Sequence, residues 1–490
     1  MYTFIVCLIC LLLGYIIYGR IVERIIGPDD TKVAPCYALQ DGIDYTPMPT
    51  WKVFLIQFLN IAGTGPIFGT IQGILFGPAA YIWIVLGCIF GGATHDYLAG
   101  MISMKRNGAS LPEIIGDELG KPARQSQRLL SLFLMILVVA VFVKTPAGLL
   151  ASMTGDIASY DGYLFWMLII FAYYLIAATL PINKIIGKIY PLFGLVLIFM
   201  AIGIFFGIFT HDQSTLPEIT EAFENHYPGK AMPIFPALCI TIACGAVSGF
   251  HATQSPMMAR CLKSERQGRH VFYAAMITEG IIALIWAAAA IQFAGSLDVA
   301  GHTPYEKLYN AMLQVKADGS STINPAILVN RISNDWLGSA GAILAVLGVV
   351  FAPITTGDTA LRCARLILTD IFHLKQDRIF KRLLLCLPIF AISIVLLFIK
   401  FDILWRYFAW FNQTFSIFTF FAISVYLAKR KKPYLITLIP GMFMMCVCVS
   451  YICIDTYSLN LGQTASYAIG LLSAFTVYVW FMVWKRKQTF

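Results

Sequence analysis

Only 12% of the 490 residues are charged, about half the share found in an ordinary soluble domain. With 59% hydrophobic residues, too little polar surface remains to clothe the roughly three cores that the length would suggest. A soluble enzyme is therefore the wrong class. The signatures of metal and nucleophile chemistry are missing too: none of the seven histidines opens H-E-x-x-H and no G-x-S-x-G occurs, while His95-Asp96 by itself is too short to define a hydrolase. No G-x-x-x-x-G-K-[ST] appears, which excludes ATP hydrolysis through a P-loop, so uphill work has to draw on an ion gradient. Nine of the twelve cysteines lie inside apolar runs and read as small buried hydrophobes. Cys7 and Cys10 form C-x-x-C without further ligands in loop reach, so no metal, cofactor or catalytic residue is expected.

What the chain has in place of these is apolar length. A spanning helix needs about 20 mostly apolar residues. Thirteen runs qualify, near residues 1–18, 51–76, 78–105, 128–152, 162–181, 185–209, 233–262, 269–294, 337–366, 380–399, 402–428, 434–454 and 463–484. The fold class is thus an all-α polytopic membrane protein with about 13 transmembrane helices. The first run has neither a basic n-region nor a small-residue cleavage site and is expected to be retained. With the N-terminus outside and the C-terminus cytoplasmic, 28 of the 35 Lys and Arg residues fall inside, six outside and one, Lys144, within a span. That asymmetry satisfies the positive-inside rule, and it accounts for the net charge of +9 without calling on nucleic acid. Capping-box patterns at Ser110–Glu113 and Thr303–Glu306 predict short helices in two connections, and Asn324-Pro325 predicts another helix start. The outer loop 295–336 has the length of a lid or of a merely exposed segment.

Two spans look broken. Asn60-Ile-Ala-Gly-Thr-Gly-Pro66-Ile-Phe-Gly69 opens the second and Gly245-Ala-Val-Ser-Gly-Phe-His251-Ala-Thr-Gln-Ser-Pro256 the seventh. The intervals 51–209 and 233–428 each hold five spans, so the second unit is inverted relative to the first. Paired discontinuous helices in inverted repeats point to a substrate site at the midplane between the breaks; kinks packed on small residues are the simpler explanation. Free N–H groups at a half-helix N-terminus suit a carboxylate. Candidate substrate-binding residues are therefore Asn60, Gly63, Thr64 and Gly65 at the first break and Ser248, His251 and Gln254 at the second.

Ionisable side chains within a bilayer are costly and need a reason. Here they are Asp96, Lys144, Glu279 and Asp358. Asp96 and Asp358 have Arg362 and Arg365 as candidate partners, which would make them helix locks. Glu279 sits alone on an apolar span and is the better proton carrier. Thr355 and Thr356, beside Asp358, suit a sodium site, although hydroxyls more often bond their own helix. These five, Glu279, Asp96, Asp358, Thr355 and Thr356, are the candidate ion-coupling residues. Lys144 either meets a substrate carboxylate or forms a structural ion pair.

The same stretches resemble the carbon starvation protein A family, in its shorter members. They are Ile61-Ala-Gly-Thr-Gly-Pro-Ile-Phe-Gly69, Ala93-Thr-His-Asp96, Lys105-Arg-Asn-Gly-Ala-Ser-Leu-Pro-Glu113, Ser248-Gly-Phe-His-Ala-Thr-Gln-Ser-Pro256 and Thr355-Thr-Gly-Asp-Thr-Ala-Leu-Arg362. Longer members tend to carry Gln where this chain has His95. The resemblance implies a bacterial inner-membrane transporter of the amino acid, polyamine and organocation (APC) superfamily, with a leucine-transporter-like 5+5 inverted repeat. It also implies uptake of small peptides under carbon starvation, with relatives linked to pyruvate import with protons. The domains would be an extra N-terminal helix and linker (1–50), a first repeat (51–210), a second repeat (231–428) and two C-terminal helices (429–490). The expectation is a proton-coupled, or sodium-coupled, peptide importer in the lipid bilayer. A pyruvate or monocarboxylate symporter is the alternative, and an ion channel or membrane starvation sensor the alternative from another class.

Overall fold

The computed structural model describes residues 1–153, 160–179, 186–230, 232–315, 321–372, 379–399 and 401–488. Residues 180–181 and 185 at the ends of the fifth and sixth expected spans lie outside the described residues, as do 316–320 of the loop. So do Lys184, Lys316, Lys375, Arg378 and Lys400 of the charge count.

The first half of the chain builds α1 (Tyr2–Ile26), α2 (Thr50–Ile61), α3 (Gly65–Gly73), α4 (Ala79–Lys105), α5 (Leu111–Leu119), α6 (Lys121–Met153), α7 (Tyr160–Thr179) and α8 (Ile186–Thr210). The second half adds α9 (Ile234–Thr241), α10 (Gly249–Ala259), α11 (Glu265–Ser296), α12 (Pro304–Met312), α13 (Pro325–Ala345), α14 (Phe351–Phe372), α15 (Ile379–Leu397), α16 (Phe401–Lys429), α17 (Leu435–Ile454) and α18 (Gln463–Lys487). The non-helical exception is an antiparallel hairpin, Leu313–Val315 with Ser321–Ile323. Among the described residues nine helices are long and apolar enough to cross a membrane, or ten with the bent pair α2 and α3. Three expected spans fall short for physical reasons. The apolar part of α7 is brief, α9 and α10 are separate short pieces, and α14 carries Asp358, Arg362 and Arg365. The chain is a multi-pass membrane protein: α11 and α16 are buried in its centre, whereas Leu471, Leu472 and Phe475 of α18 and Phe199 and Phe206 of α8 lie exposed on its flanks.

Both predicted breaks exist. Between α2 and α3 the axis bends by 46°, and α3 restarts with Gly65-Pro66, whose missing N–H costs nothing in a first turn. The second break lies earlier than the glycine pattern suggests. Residues 242–248 are non-helical and Gly249–Pro256 already belongs to α10. The reason is a cap supplied from far along the chain. Asn412 of α16 accepts at Oδ1 from the Phe250 backbone N–H at 2.7 Å and from Ser248 Oγ at 3.1 Å. This satisfies a group that a helix start leaves open.

The breaks touch each other. A Cβ on Gly65 would stand 2.4 Å from Cys244 Sγ, and one on Gly92 of α4 would stand 2.3 Å from the Ala246 carbonyl oxygen. Small residues are what let membrane helices approach so closely. Gly92 ends a π-helical stretch, Gly87–Gly92, that lays α4 along the second break.

On one face, here the loop face, both predicted helix starts form. Thr303 and Glu306 make a reciprocal capping box for α12, and Asn324 Oδ1 accepts from the Ala326 N–H at 3.1 Å to open α13. Glu218 on this face caps α1 through the backbone N–H groups of Tyr2 and Thr3, each at 3.0 Å. Burial pushes its carboxyl up, but bonds from the N-terminal ammonium and Thr3 outweigh this and hold it down to about 2. On the opposite, linker face, residues 27–49 run beneath the ends of α10 and α14. Asp44 lies 3.5 Å from Arg362 Nη1 and 3.8 Å from Arg365 Nη2. The guanidinium of Arg260 stands 4.9 Å over the Tyr45 ring, and the Met48 N–H donates to the Cys261 carbonyl at 3.1 Å. At Ser110–Glu113 the capping box also forms.

Two outcomes follow from this packing. Gly92→Val is expected to cost about 1–3 kcal/mol by overpacking, read as a lower midpoint of thermal unfolding in detergent. Asn412→Ala is expected to cost about 0.5–2 kcal/mol as a lost cap and to speed amide exchange at residues 248–252; unchanged exchange there would mean that the cap does not hold the break.

Candidate functional site

Gln57 and Asn60 lie three residues apart on the last turn of α2, hence on neighbouring positions of one face. Both are fully buried. Gln57 Nε2 donates to Ser255 Oγ of α10 at 3.4 Å, and Ser255 Oγ donates in turn to the His251 carbonyl at 3.2 Å. Gln57 Oε1, both amide atoms of Asn60 and Thr64 Oγ1 have no hydrogen-bond partner among the described residues. Leaving a buried polar atom unsatisfied costs about 1–3 kcal/mol. Several of them gathered around one helix break call for an explanation.

Beside them lies a line of four titratable side chains drawn from three helices. His95 Nδ1 is 2.9 Å from Asp96 Oδ1 on α4, and Asp96 Oδ2 is 3.1 Å from His251 Nδ1 on α10. His251 Nδ1 is also 3.7 Å from Glu279 Oε2 on α11. All four are 0% exposed. This corrects two expectations. Asp96 is not locked to Arg362 or Arg365, because those arginines point to the linker face and meet Asp44 there. Glu279 is not alone, because the crossing of α10 over α4 and α11 turns His251 toward both carboxylates. Two carboxylates around one imidazole form a group whose proton count and net charge are linked: neutral His251 has one N–H to offer, imidazolium has two. Isolated charges are costly in such a place.

The other candidates sort into neighbours and outliers. A Cβ on Gly63 would lie 3.1 Å from Thr356 Oγ1, so the first break abuts α14. Thr355 and Thr356 both donate to the Ala352 carbonyl of their own helix, at 2.8 and 2.9 Å, which leaves only oxygen lone pairs facing outward. Asp358 Oδ2 accepts from the Tyr190 hydroxyl, while Oδ1 has no hydrogen-bond partner among the described residues. Gln254 Nε2 donates to Thr253 Oγ1 at 3.2 Å and leaves Oε1 unpartnered among those residues. Ser248 is engaged by Asn412. Lys144 stands apart: its ammonium donates to the carbonyls of Leu397 and Ile399 at 3.0 and 2.6 Å, where a cation suits the C-terminal end of α15.

Sequence reasoning overlooked Gln57, His95, Asn412 and Asp44 as parts of this arrangement. A polar triplet, Asn412-Gln413-Thr414, inside an apolar run was the available signal for Asn412; Gln57 had only its spacing from Asn60. A cavity of about 250 Å³ opens on the loop face, with Gln72 and Thr241 on its wall. On the linker face a crevice of about 30 Å³ reaches Thr253, Met257 and Cys363.

The family described as Carbon starvation protein CstA matches residues 1–161 and 151–325, well over half of the chain. An uncharacterized membrane protein of Haemophilus influenzae is 44% identical over 338 residues, covering 60% of this chain and 91% of that protein. The peptide transporter CstA of Bacillus subtilis is 32% identical over 349 residues, covering 59% of this chain and 58% of that protein. The pyruvate/proton symporter BtsT of Escherichia coli is 28% identical over 394 residues, covering 68% of this chain and 54% of that protein. The aligned part is thus little more than half the length of either named transporter. The family match runs through both broken helices and through Asp96, His251 and Glu279, and the chain belongs to the carbon starvation protein CstA family.

Proposed function

We propose that the protein is a secondary-active importer of small peptides that works by alternating access around the two breaks, with the proton as coupling ion. The observation that carries this reading is the crossing of two interrupted helices at a centre rich in buried, unpartnered polar atoms. The relatives named as peptide transporters support it. In this reading the spans number thirteen, in two inverted repeats of five, and the loop face is outside, where the sparse positive charge lies. The membrane is the bacterial inner membrane, and expression answers carbon starvation.

The substrate carboxylate rests near Thr64 and Gly65, at the positive end of α3. Its amide and amine groups meet Asn60, Gln57 and Gln254. Glu279, His251 and Asp96 take and release the proton next to this centre. A proton gained there favours one arrangement of α10 against α4 and α11, and the release of the proton on the far side favours the other. Sodium held by Thr355, Thr356 and Asp358 is the competing assignment. The pyruvate/proton symporter among the relatives favours a second reading, a monocarboxylate substrate on the same machinery.

Uptake of labelled dialanine and pyruvate into proteoliposomes, each with and without an inward pH gradient, separates the readings. Gradient-stimulated dialanine flux is expected; stimulation of neither substrate would end the importer proposal and leave a channel or a sensor. Glu279→Gln is expected to abolish gradient-driven accumulation yet leave counterflow exchange, and surviving accumulation would move the coupling site elsewhere. Asp44→Asn is expected to loosen the linker face, seen as several-fold faster alkylation of Cys363 by mass spectrometry.

A further inference from the structure

The loop-face cavity has no part in the reading above. Its wall holds Gln72 and Thr241 from the two half-helices, Tyr309 from α12, Trp405 and Arg406 from α16 and Tyr451 from α17. A wider groove of about 670 Å³ lies beside it and shares Arg406 and Tyr451, with Asp455 and Tyr467 also on its wall. Arg406 therefore stands on the partition between the two. Its Nη1 donates to Asp455 Oδ1 at 3.0 Å, and its guanidinium lies 5.1 Å over the Tyr457 ring. Guanidinium has five N–H donors in a rigid fork, and the hydrogen bond to Asp455 uses one. Asp455 is nine-tenths buried, and its second oxygen, Oδ2, has no hydrogen-bond partner among the described residues. Each member of the pair thus has unused capacity of opposite sign.

We propose that Arg406 and Asp455 form a second, outer binding site for a short peptide in its zwitterionic form, deepening the importer reading on which it rests. The peptide carboxylate takes the remaining donors of Arg406, a geometry suited to bidentate recognition. The α-ammonium takes Asp455 Oδ2 in the wider groove, and the rings of Tyr451 and Tyr467, which line that groove together with both charged groups, cover the rest of the ligand. A ligand bearing both charges satisfies both members together. A monocarboxylate such as pyruvate draws on Arg406, brings a second negative charge beside Asp455 and offers nothing to its Oδ2, and a site built for a polar group rejects strongly the ligand that lacks it. At about 670 Å³ the groove lies within the range typical of small-molecule sites, about 300–1,000 Å³, and has room for a dipeptide. The smaller cavity shares Arg406 and Tyr451 with the groove and has Gln72 and Thr241 of the two half-helices on its wall, so a peptide held in the groove is next in line for the centre.

The test compares dialanine with N-acetyl-dialanine, in proteoliposome uptake and in equilibrium binding to the full chain in nanodiscs. Asp455→Asn is expected to raise KM for dialanine about tenfold or more, with kcat within about twofold, and to leave N-acetyl-dialanine nearly unchanged. Arg406→Gln is expected to raise KM for both, and Arg406→Lys to recover part of the loss. An equal loss for the free and acetylated peptides would mean that the pair only braces α16 against α17, and would overturn the site. If wild-type protein moves dialanine and both variants keep its KM, the outer site is wrong and the importer reading stands. If wild-type protein neither binds nor moves dialanine, both are wrong.

Discussion

A helix interrupted inside a membrane exposes backbone N–H and C=O groups that lipid cannot satisfy, and neighbours must take them up. The rest of this structure is arranged around that demand. At the second break Asn412 reaches across from α16 to bond Phe250 and Ser248, and the π-helical stretch of α4 closes over Ala246. At the first break Thr64 makes no side-chain cap bond. The two interruptions are therefore unequal: the second is capped by a side chain from another helix, whereas at the first the Thr64 hydroxyl has no hydrogen-bond partner among the described residues.

This inequality arranges the chemistry. The capped break is where His251 is held rigidly enough to face Asp96 and Glu279 together, with one imidazole nitrogen at 3.1 and 3.7 Å from their oxygens. The first break, with Asn60 and Thr64, is where polar atoms remain unspent. The titratable cluster and the unpartnered polar atoms are thus adjacent yet carried by different half-helices, joined by the Gln57–Ser255 bond; in the importer proposed above, a shift of α10 relative to α2 would alter both at once.

Much of this was legible from local pattern. Glycine and proline marked both interruptions, and the capping boxes at Ser110–Glu113 and Thr303–Glu306 announced α5 and α12 from four residues each. What escaped depended on partners far along the chain. The second break starts at residue 242 because its cap comes from Asn412, which no short-range rule connects to Ser248. Asp96 was sent to the wrong cation because charge within a span announces that a partner exists without saying which helix brings it. Lys144 was left open for the same reason, between a substrate carboxylate and a structural ion pair, and its ammonium donates to carbonyls at the end of α15. Local chemistry is written in adjacent residues; the crossing of helices is written in the whole.

The first helix has a quieter consequence. Glu218 ties the beginning of α1 to the loop face. At its other end, the linker that follows binds Glu265 through the Asp29 N–H at 2.8 Å and Arg362 through Asp44. A rod fastened to both surfaces acts as a tie-bar of fixed length. In the importer proposed above, parting of the linker face would pull through this rod on the Glu218 bonds at the loop face, so that opening on one side would work against opening on the other.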